Sequence, residues 1–188
     1  MTPQALPSFK KIGRKVIYRG RVIKLVQDTL VVQGRRLTRE VVLHPGAVAI
    51  VPFIDAKHIL FVQQYRHAVG RMLLELPAGT LSPNEPRLAC AKRELEEETG
   101  YRAGKWTKLS QFYAAPGCVS EQMTIFRADH LTLTGAHPEE DEFLSLVTLS
   151  IREAFAQIRS GAICDAKTII GLMSAAGRLR LGVNKHGS

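Results

Sequence analysis

The chain has no hydrophobic run long enough to cross a membrane. Its longest apolar stretches are short, as at Ala47-Val48-Ala49-Ile50-Val51, whereas a transmembrane helix needs about 20 apolar residues. The opening Met1-Thr2-Pro3-Gln4 is not a charged segment followed by an apolar one, so no signal peptide is expected. We therefore expect a cytoplasmic protein without a membrane partner.

Cysteine and aromatic residues are also scarce. The three cysteines, Cys90, Cys118 and Cys164, are far apart and form no Cys-x-x-Cys pair, so neither a zinc site nor a disulfide framework is indicated. We expect reduced, mostly buried thiols.

The net charge of +9 favours the binding of polyanions. However, the basic residues are dispersed and no basic patch is interleaved with aromatics, so no nucleic-acid partner is expected.

The 188 residues, 45% of them hydrophobic, suit one domain with a small appended piece. Residues 1–45 are β-rich, and Gln33-Gly34 predicts a hairpin turn between the second and third strands. His44-Pro45-Gly46 breaks this pattern. We expect an N-terminal antiparallel β subdomain at 1–45 and a main domain at 46–188.

The main domain mixes strands with few helices, which predicts an α/β or α+β fold. A helix is expected over 87–99, with Pro86 in its first turn and Gly100 as its end. Ser150 and Glu153 form a predicted capping box for a second helix, and Asp165 is the expected cap of a third. Strands are expected over 47–53, 58–64, 73–76, 106–114, 122–129 and 143–149.

The 87–99 helix has three carboxylates on one face. Glu94, Glu97 and Glu98 are spaced three and four residues apart, so their side chains converge and repel each other. Hard divalent cations such as Mg²⁺ or Mn²⁺ relieve such repulsion. Arg93 can pair with one glutamate, and a carbonyl of the turn at Pro77-Ala78-Gly79 can add a hard ligand. These residues alone also suit a solvated acidic face.

The wider spacing carries a family resemblance. From Gly79 the chain has five residues, Glu85, seven residues, Arg93-Glu94-Leu95, one residue, Glu97-Glu98, one residue and Gly100. This resembles the Nudix box at every defined position. The resemblance implies a Nudix α/β/α sandwich behind the N-terminal β-sheet subdomain.

The resemblance also implies site roles. Two to three Mg²⁺ or Mn²⁺ ions would be bound by the Ala78 carbonyl, Glu94 and Glu98, with Glu97 as a further ligand or base. Gly79, Glu85 and Arg93 would orient these ligands.

The flanking residues resemble the ADP-ribose pyrophosphatase group of this family. The similar segments are Gln64-Tyr65-Arg66, Glu75-Leu76-Pro77-Ala78-Gly79, Asp165-Ala166-Lys167-Thr168-Ile169 and Pro116, which lies sixteen residues after Gly100. This implies hydrolysis of ADP-ribose to AMP and ribose 5-phosphate by a homodimer, whose N-terminal sheets are commonly swapped.

The same resemblance places substrate contacts. Arg39 and Arg66 would bind the phosphates, a role that also suits the planar arginine fork. Pro116 would lie at the substrate site. The aromatic that stacks on the base in some relatives is absent near Arg21-Val22, and Tyr18 is the substitute we expect.

The acidic loop Glu139-Glu140-Asp141-Glu142 supplies the expected catalytic base, with Glu139 the first choice and Glu142 the second. Alternatively, the loop is a polar surface turn and Glu97 accepts the proton. The box does not select the nucleotide, so GDP-mannose, a UDP-sugar or several nucleotide sugars remain alternatives. A binding module without turnover is a further alternative, although such modules typically lose box carboxylates.

Overall fold

A computed structural model describes residues 7–135 and 144–181. The chain forms two compact units. The first consists of the residues up to Pro45 together with Tyr113–Glu121, and the second consists of Gly46–Phe112 and the residues from Gln122 onward. The sequence did not predict that Tyr113–Glu121 belongs with the N-terminal strands.

The first unit contains a three-stranded antiparallel sheet in the order β1-β2-β3. The strands are β1 (Lys10–Arg19), β2 (Lys24–Val32) and β3 (Arg35–Leu43). Gln33 and Gly34 join β2 to β3 with φ angles of 50° and 76°. Two positive φ angles in a two-residue loop match the twist of the strands, so the predicted hairpin is confirmed.

The second unit contains two sheets and three helices. One sheet has the order β7 (Ala78–Thr80), β4 (Ala47–Pro52), β9 (Gln122–Leu133) and β8 (Tyr101–Tyr113), and the other has the order β10 (Leu144–Ser150), β5 (His58–Arg66) and β6 (Arg71–Glu75). The helices are α1 (Arg87–Thr99), α2 (Ile151–Ser160) and α3 (Ala166–Leu181). Strand β4 pairs in parallel with β9 and antiparallel with β7.

Strand β4 is buried on both faces, as its continuous apolar sequence predicts. Successive side chains of a strand point to opposite faces. Accordingly, Val51 packs in one core with Leu172 of α3, and Ile50 packs in the other core with Leu95 of α1. Helices therefore cover both faces of the sheet, and the expected α/β/α architecture is confirmed.

The helix ends follow the sequence signals closely. Helix α1 ends at Gly100, which has a φ of 70° and donates its N–H to Glu96 O at 2.8 Å. The Ser150–Glu153 capping box is present. Asp165 Oδ2 accepts a 3.0 Å hydrogen bond from Thr168 N at the start of α3. Pro86 lies at the N-cap rather than in the first turn, because its ψ of 137° is extended.

The prediction of mostly buried cysteines is wrong. Cys90, on the buried face of α1, is buried, but Cys118 and Cys164 are exposed. Burial, followed by the nearby Glu94 carboxylate, raises the pKa of the Cys90 thiol to about 12. Within the described ranges, no helix is long and apolar enough to cross a membrane.

Candidate active site

Helix α1 places two buried carboxylates against the backbone of β7. Leu95 anchors the helix in the core, and the preceding Glu94 and the following Glu98 are only 9% and 3% exposed. Ala78 N donates a 3.0 Å hydrogen bond to Glu98 Oε2. The structure therefore brings together Ala78, Glu94 and Glu98, as the sequence predicted.

Gly79 is required by the close approach of Glu94. A Cβ atom added at Gly79 would lie 1.8 Å from Glu94 Cδ and 1.9 Å from Glu94 Oε1. No side chain can occupy that space unless the carboxylate or the strand moves. Gly79 is thus a spatial requirement of the buried carboxylate.

Arg93 contacts three glutamates at once, where the sequence predicted one partner. Its Nε and Nη2 donate to the two Glu85 carboxylate oxygens at 3.0 and 3.1 Å. Its Nη1 lies 2.7 Å from Glu97 Oε2 and 2.8 Å from Glu94 Oε1. One guanidinium therefore fixes the carboxylates on both sides of the helix start.

These contacts perturb ionisation. The Arg93 hydrogen bonds, followed by the Ser82 backbone N–H, lower the pKa of Glu85 to about 2. The Glu85 carboxylate in turn raises the pKa of Arg93 well above its ordinary value. Both groups are consequently charged at neutral pH, and Arg93 remains a fixed cation among the box glutamates.

The donor set fits a hard divalent cation. In the part of the chain that the structure describes, no three His, Cys, Asp or Glu side chains form a metal-binding group. Glu97 instead points to Arg93. Two buried carboxylates, Glu94 and Glu98, lie beside backbone at Ala78. Mg²⁺ commonly binds through one or two carboxylates, retained waters and substrate phosphates, so this set suffices.

Arg66 makes an ion pair that the sequence did not reveal. Its Nε and Nη2 donate to the two Glu75 carboxylate oxygens at 2.9 and 2.8 Å, and Lys167 also donates to Glu75. Glu75 is 1% exposed. Its burial opposes ionisation, but Arg66 and Lys167 outweigh that effect and the pKa of Glu75 is lowered. A charged residue among the leucines of β6 was the available signal.

Three further predicted residues lie in the first unit. Arg39 is exposed on β3 and donates to Thr38 O at 2.8 Å. Tyr18 is exposed on β1. Pro116 lines a shallow hollow with Val41 and Tyr113. Their substrate roles stay predictions, and Glu139 and Glu142 lie outside the described residues.

The NUDIX domain family matches residues 43–169, and the chain belongs to this family. Its hydrolases generally need a divalent metal. The chain is 40% identical over 162 residues to the ADP-ribose pyrophosphatase of Bacillus subtilis (strain 168), covering 85% of this chain and 88% of that one.

Other relatives carry other names. The chain is 38% identical over 166 residues to the methanol dehydrogenase activator of Bacillus methanolicus, with 87% and 90% of the two chains covered. It is 32% identical over 134 residues to the GDP-mannose pyrophosphatase of Cronobacter sakazakii (strain ATCC BAA-894), with 66% and 70% covered.

A solved structure described as an ADP compounds hydrolase matches the fold with a TM-score of 0.85. It is 24% identical in sequence, and the match covers 96% of this chain and 98% of that one. The Nudix fold expected from the sequence is confirmed.

The Glu85–Arg93 contact predicts an acid-side stability effect. Because the pKa of Glu85 falls from its ordinary 4.5 to about 2 on folding, its ionised form stabilises the protein above about pH 4.5, and that stabilisation is lost as the pH falls towards 2. The stability advantage of the wild type over Glu85→Gln should therefore shrink over this interval.

Urea unfolding of the metal-free protein at a series of pH values measures this difference. Glu40→Gln, at an exposed carboxylate of β3, controls for the loss of any carboxylate. An advantage over Glu85→Gln that stays constant from pH 6 down to about pH 2 would refute the linkage.

Proposed function

We propose that this chain hydrolyses the pyrophosphate bond of a nucleoside diphosphate sugar, with ADP-ribose giving AMP and ribose 5-phosphate. The observation that carries the proposal is the pair of buried α1 carboxylates, Glu94 and Glu98, packed against Ala78 and Gly79. Such a pair is costly to bury without a cation to compensate it. The relatives named as pyrophosphatases support the reaction class.

The proposed cofactor is Mg²⁺ or Mn²⁺, with two to three ions bound per site. The Ala78 carbonyl, Glu94 and Glu98 would hold it, with Glu97 as a further ligand. When bound, a divalent cation neutralises diphosphate charge and lowers the pKa of a water at the site.

Residues of this chain bind the diphosphate, hold the site carboxylates in place and accept the proton. Arg66 would donate to the diphosphate oxygens, and Arg93 keeps Glu85, Glu94 and Glu97 in place. Water adds its oxygen to one phosphorus, a carboxylate takes the proton, and the P–O bond to the leaving phosphate monoester breaks. Glu97, whose side chain is 41% exposed, is the candidate base that lies within the described residues. Glu139 and Glu142 remain proposed alternatives.

Three further substrate contacts are proposed. Arg39 would bind the phosphates, Tyr18 would stack on the base, and Pro116 would lie at the substrate site. GDP-mannose, a UDP-sugar or a broad range of nucleotide sugars is the second candidate, favoured by the similarity to a GDP-mannose pyrophosphatase. A non-catalytic binding module is disfavoured, because all box carboxylates are present and Glu94 and Glu98 are buried at the helix face. A cytoplasmic location stays a prediction.

A panel assay tests the reaction. ADP-ribose, GDP-mannose and UDP-glucose are incubated with Mg²⁺ or Mn²⁺, and inorganic phosphate is measured after phosphatase treatment. Loss of a residue that only orients a metal ligand costs about 10- to 100-fold in activity. Glu98→Gln removes a proposed ligand, so its activity should fall by more than that, while its circular dichroism spectrum stays unchanged.

Glu96→Gln is the matched control, because Glu96 lies on the same helix but pairs outward with Arg102 at 2.8 Å. It should retain wild-type turnover. Wild-type inertness towards every substrate, or full activity in Glu98→Gln, would contradict the proposal.

We also propose that the protein is a homodimer formed through β1. This strand has exposed apolar side chains along its length, among them Ile12, Val16 and Ile17. A concentration of exposed apolar side chains on one strand favours an interaction site there. Whether the N-terminal sheets are swapped between copies stays a prediction.

Sedimentation equilibrium tests the dimer. The wild type should sediment at twice the 20.8 kDa chain mass, and Val16→Lys should shift it towards the monomer because the lysine places a charge in the interface. Val69→Lys changes an apolar residue that is similarly exposed but lies in the second unit, so it should leave the mass unchanged. A monomeric wild type would refute the proposal.

A further inference from the structure

The first turn of α3 contacts the end of β6, which leads into Ala78 and Gly79. Three residues form what we call the α3 clamp: Asp165, Lys167 and Thr168. Lys167 Nζ donates to Glu75 Oε2 and lies 3.0 Å from Asp165 Oδ2. Thr168 Oγ1 accepts from Leu76 N at 2.9 Å and donates to Asp165 Oδ2 at 2.6 Å. The clamp thus fixes both the side chain and the backbone at Glu75-Leu76.

Glu75 fixes the plane of the Arg66 guanidinium. The Glu75 carboxylate accepts hydrogen bonds from Arg66 Nε and Nη2 at 2.9 and 2.8 Å. Neither of these two bonds uses Nη1, and the side chain is 39% exposed. A guanidinium has donors on two edges. With one edge held by Glu75, the outer edge is presented in one orientation.

The charges in this cluster explain why a second cation is needed. Arg66 and Glu75 alone cancel, and a neutral pair attracts a diphosphate weakly. Asp165 adds a second carboxylate to the cluster; it pairs with Lys167 and also accepts the Thr168 N–H at the start of α3. Without Lys167, the single positive charge of Arg66 would face the two negative charges of Glu75 and Asp165. Lys167 therefore offsets negative charge that would otherwise repel a diphosphate from Arg66.

We propose that Lys167 is a positioning residue for the substrate diphosphate: by sharing the Glu75 carboxylate, it offsets negative charge beside Arg66 and keeps the guanidinium oriented for the phosphate oxygens. The inference rests on the proposed function, in which Arg66 donates to the diphosphate. Lys167 itself acts through Glu75 and Arg66.

Steady-state kinetics with ADP-ribose test this role. Lys167→Met keeps the aliphatic stem but removes the charge, so KM should rise by about tenfold with kcat changed much less, as expected when an interaction with bound substrate is weakened. Lys167→Arg restores the cation and should restore most of the affinity. Lys105→Met, at an exposed lysine of β8, should match the wild type.

A double-mutant cycle separates positioning from a structural role. In an Arg66→Met background the Lys167→Met change should add little to KM, because Arg66 is the residue through which Lys167 acts. Thermal unfolding of each variant is measured in parallel, and kinetics are taken where all are folded. The proposal would be overturned if the Arg66→Met and Lys167→Met fold-changes in KM multiplied in the double variant. It would also be overturned if Lys167→Met kept the wild-type KM.

Calorimetric binding of ADP-ribose without metal separates this proposal from the proposed function. If the wild type binds ADP-ribose but does not hydrolyse it, the proposed function fails, while weaker binding by Lys167→Met still supports positioning and equal binding overturns it. If the wild type neither binds nor hydrolyses ADP-ribose, the positioning role falls as well.

Discussion

The site depends on the repulsion among carboxylates held on one face of α1. Glu94 and Glu98 are buried one helical turn apart, and Arg93 binds Glu85, Glu94 and Glu97 with distances of 2.7 to 3.1 Å. Desolvated like charges are stable only when cations or hydrogen bonds compensate them. Arg93 and the Ala78 N–H supply part of that compensation, and a divalent cation would supply more.

The two-sided core gives this charged helix face a fixed place. Ile50 and Leu95 seat α1 on one face of β4, and Val51 and Leu172 seat α3 on the other. Each helix then reaches the connection from β6 to β7 from its own side. Glu98 accepts a hydrogen bond from Ala78 N, and Thr168 Oγ1 accepts one from Leu76 N. A short stretch of backbone between two helices thus joins the carboxylate site to the Arg66 ion pair.

Local structure could be predicted from sequence where local physics determines it. The helix over 87–99 was predicted to the residue, because its apolar spacing and Gly100 mark both its buried face and its end. The Gln33-Gly34 hairpin followed from turn chemistry. Motif spacing brought Ala78, Gly79, Glu94 and Glu98 to one site, since the helix geometry and a single loop suffice.

The missed features all depend on partners distant in the chain. Lys167 meets Glu75 across 92 residues, and no periodicity predicts such a pair. Tyr113–Glu121 joins the first unit through Ser120 N, which donates to Val42 O at 2.9 Å. The exposure of Cys118 and Cys164 likewise follows from tertiary packing and not from residue type.

The proposed divalent-cation site consists of the buried α1 carboxylates and the Ala78 carbonyl, and the absence of a side chain at Gly79 leaves room for Glu94. Isothermal titration with Mn²⁺, without substrate, tests it on the wild type, on Gly79→Ala and on Gly177→Ala, where an added Cβ meets nothing within 4 Å. We predict that Gly177→Ala binds as the wild type does and that Gly79→Ala binds at least about tenfold more weakly, because its Cβ displaces Glu94. Equal Mn²⁺ affinity in Gly79→Ala and the wild type would contradict a cation site at Glu94.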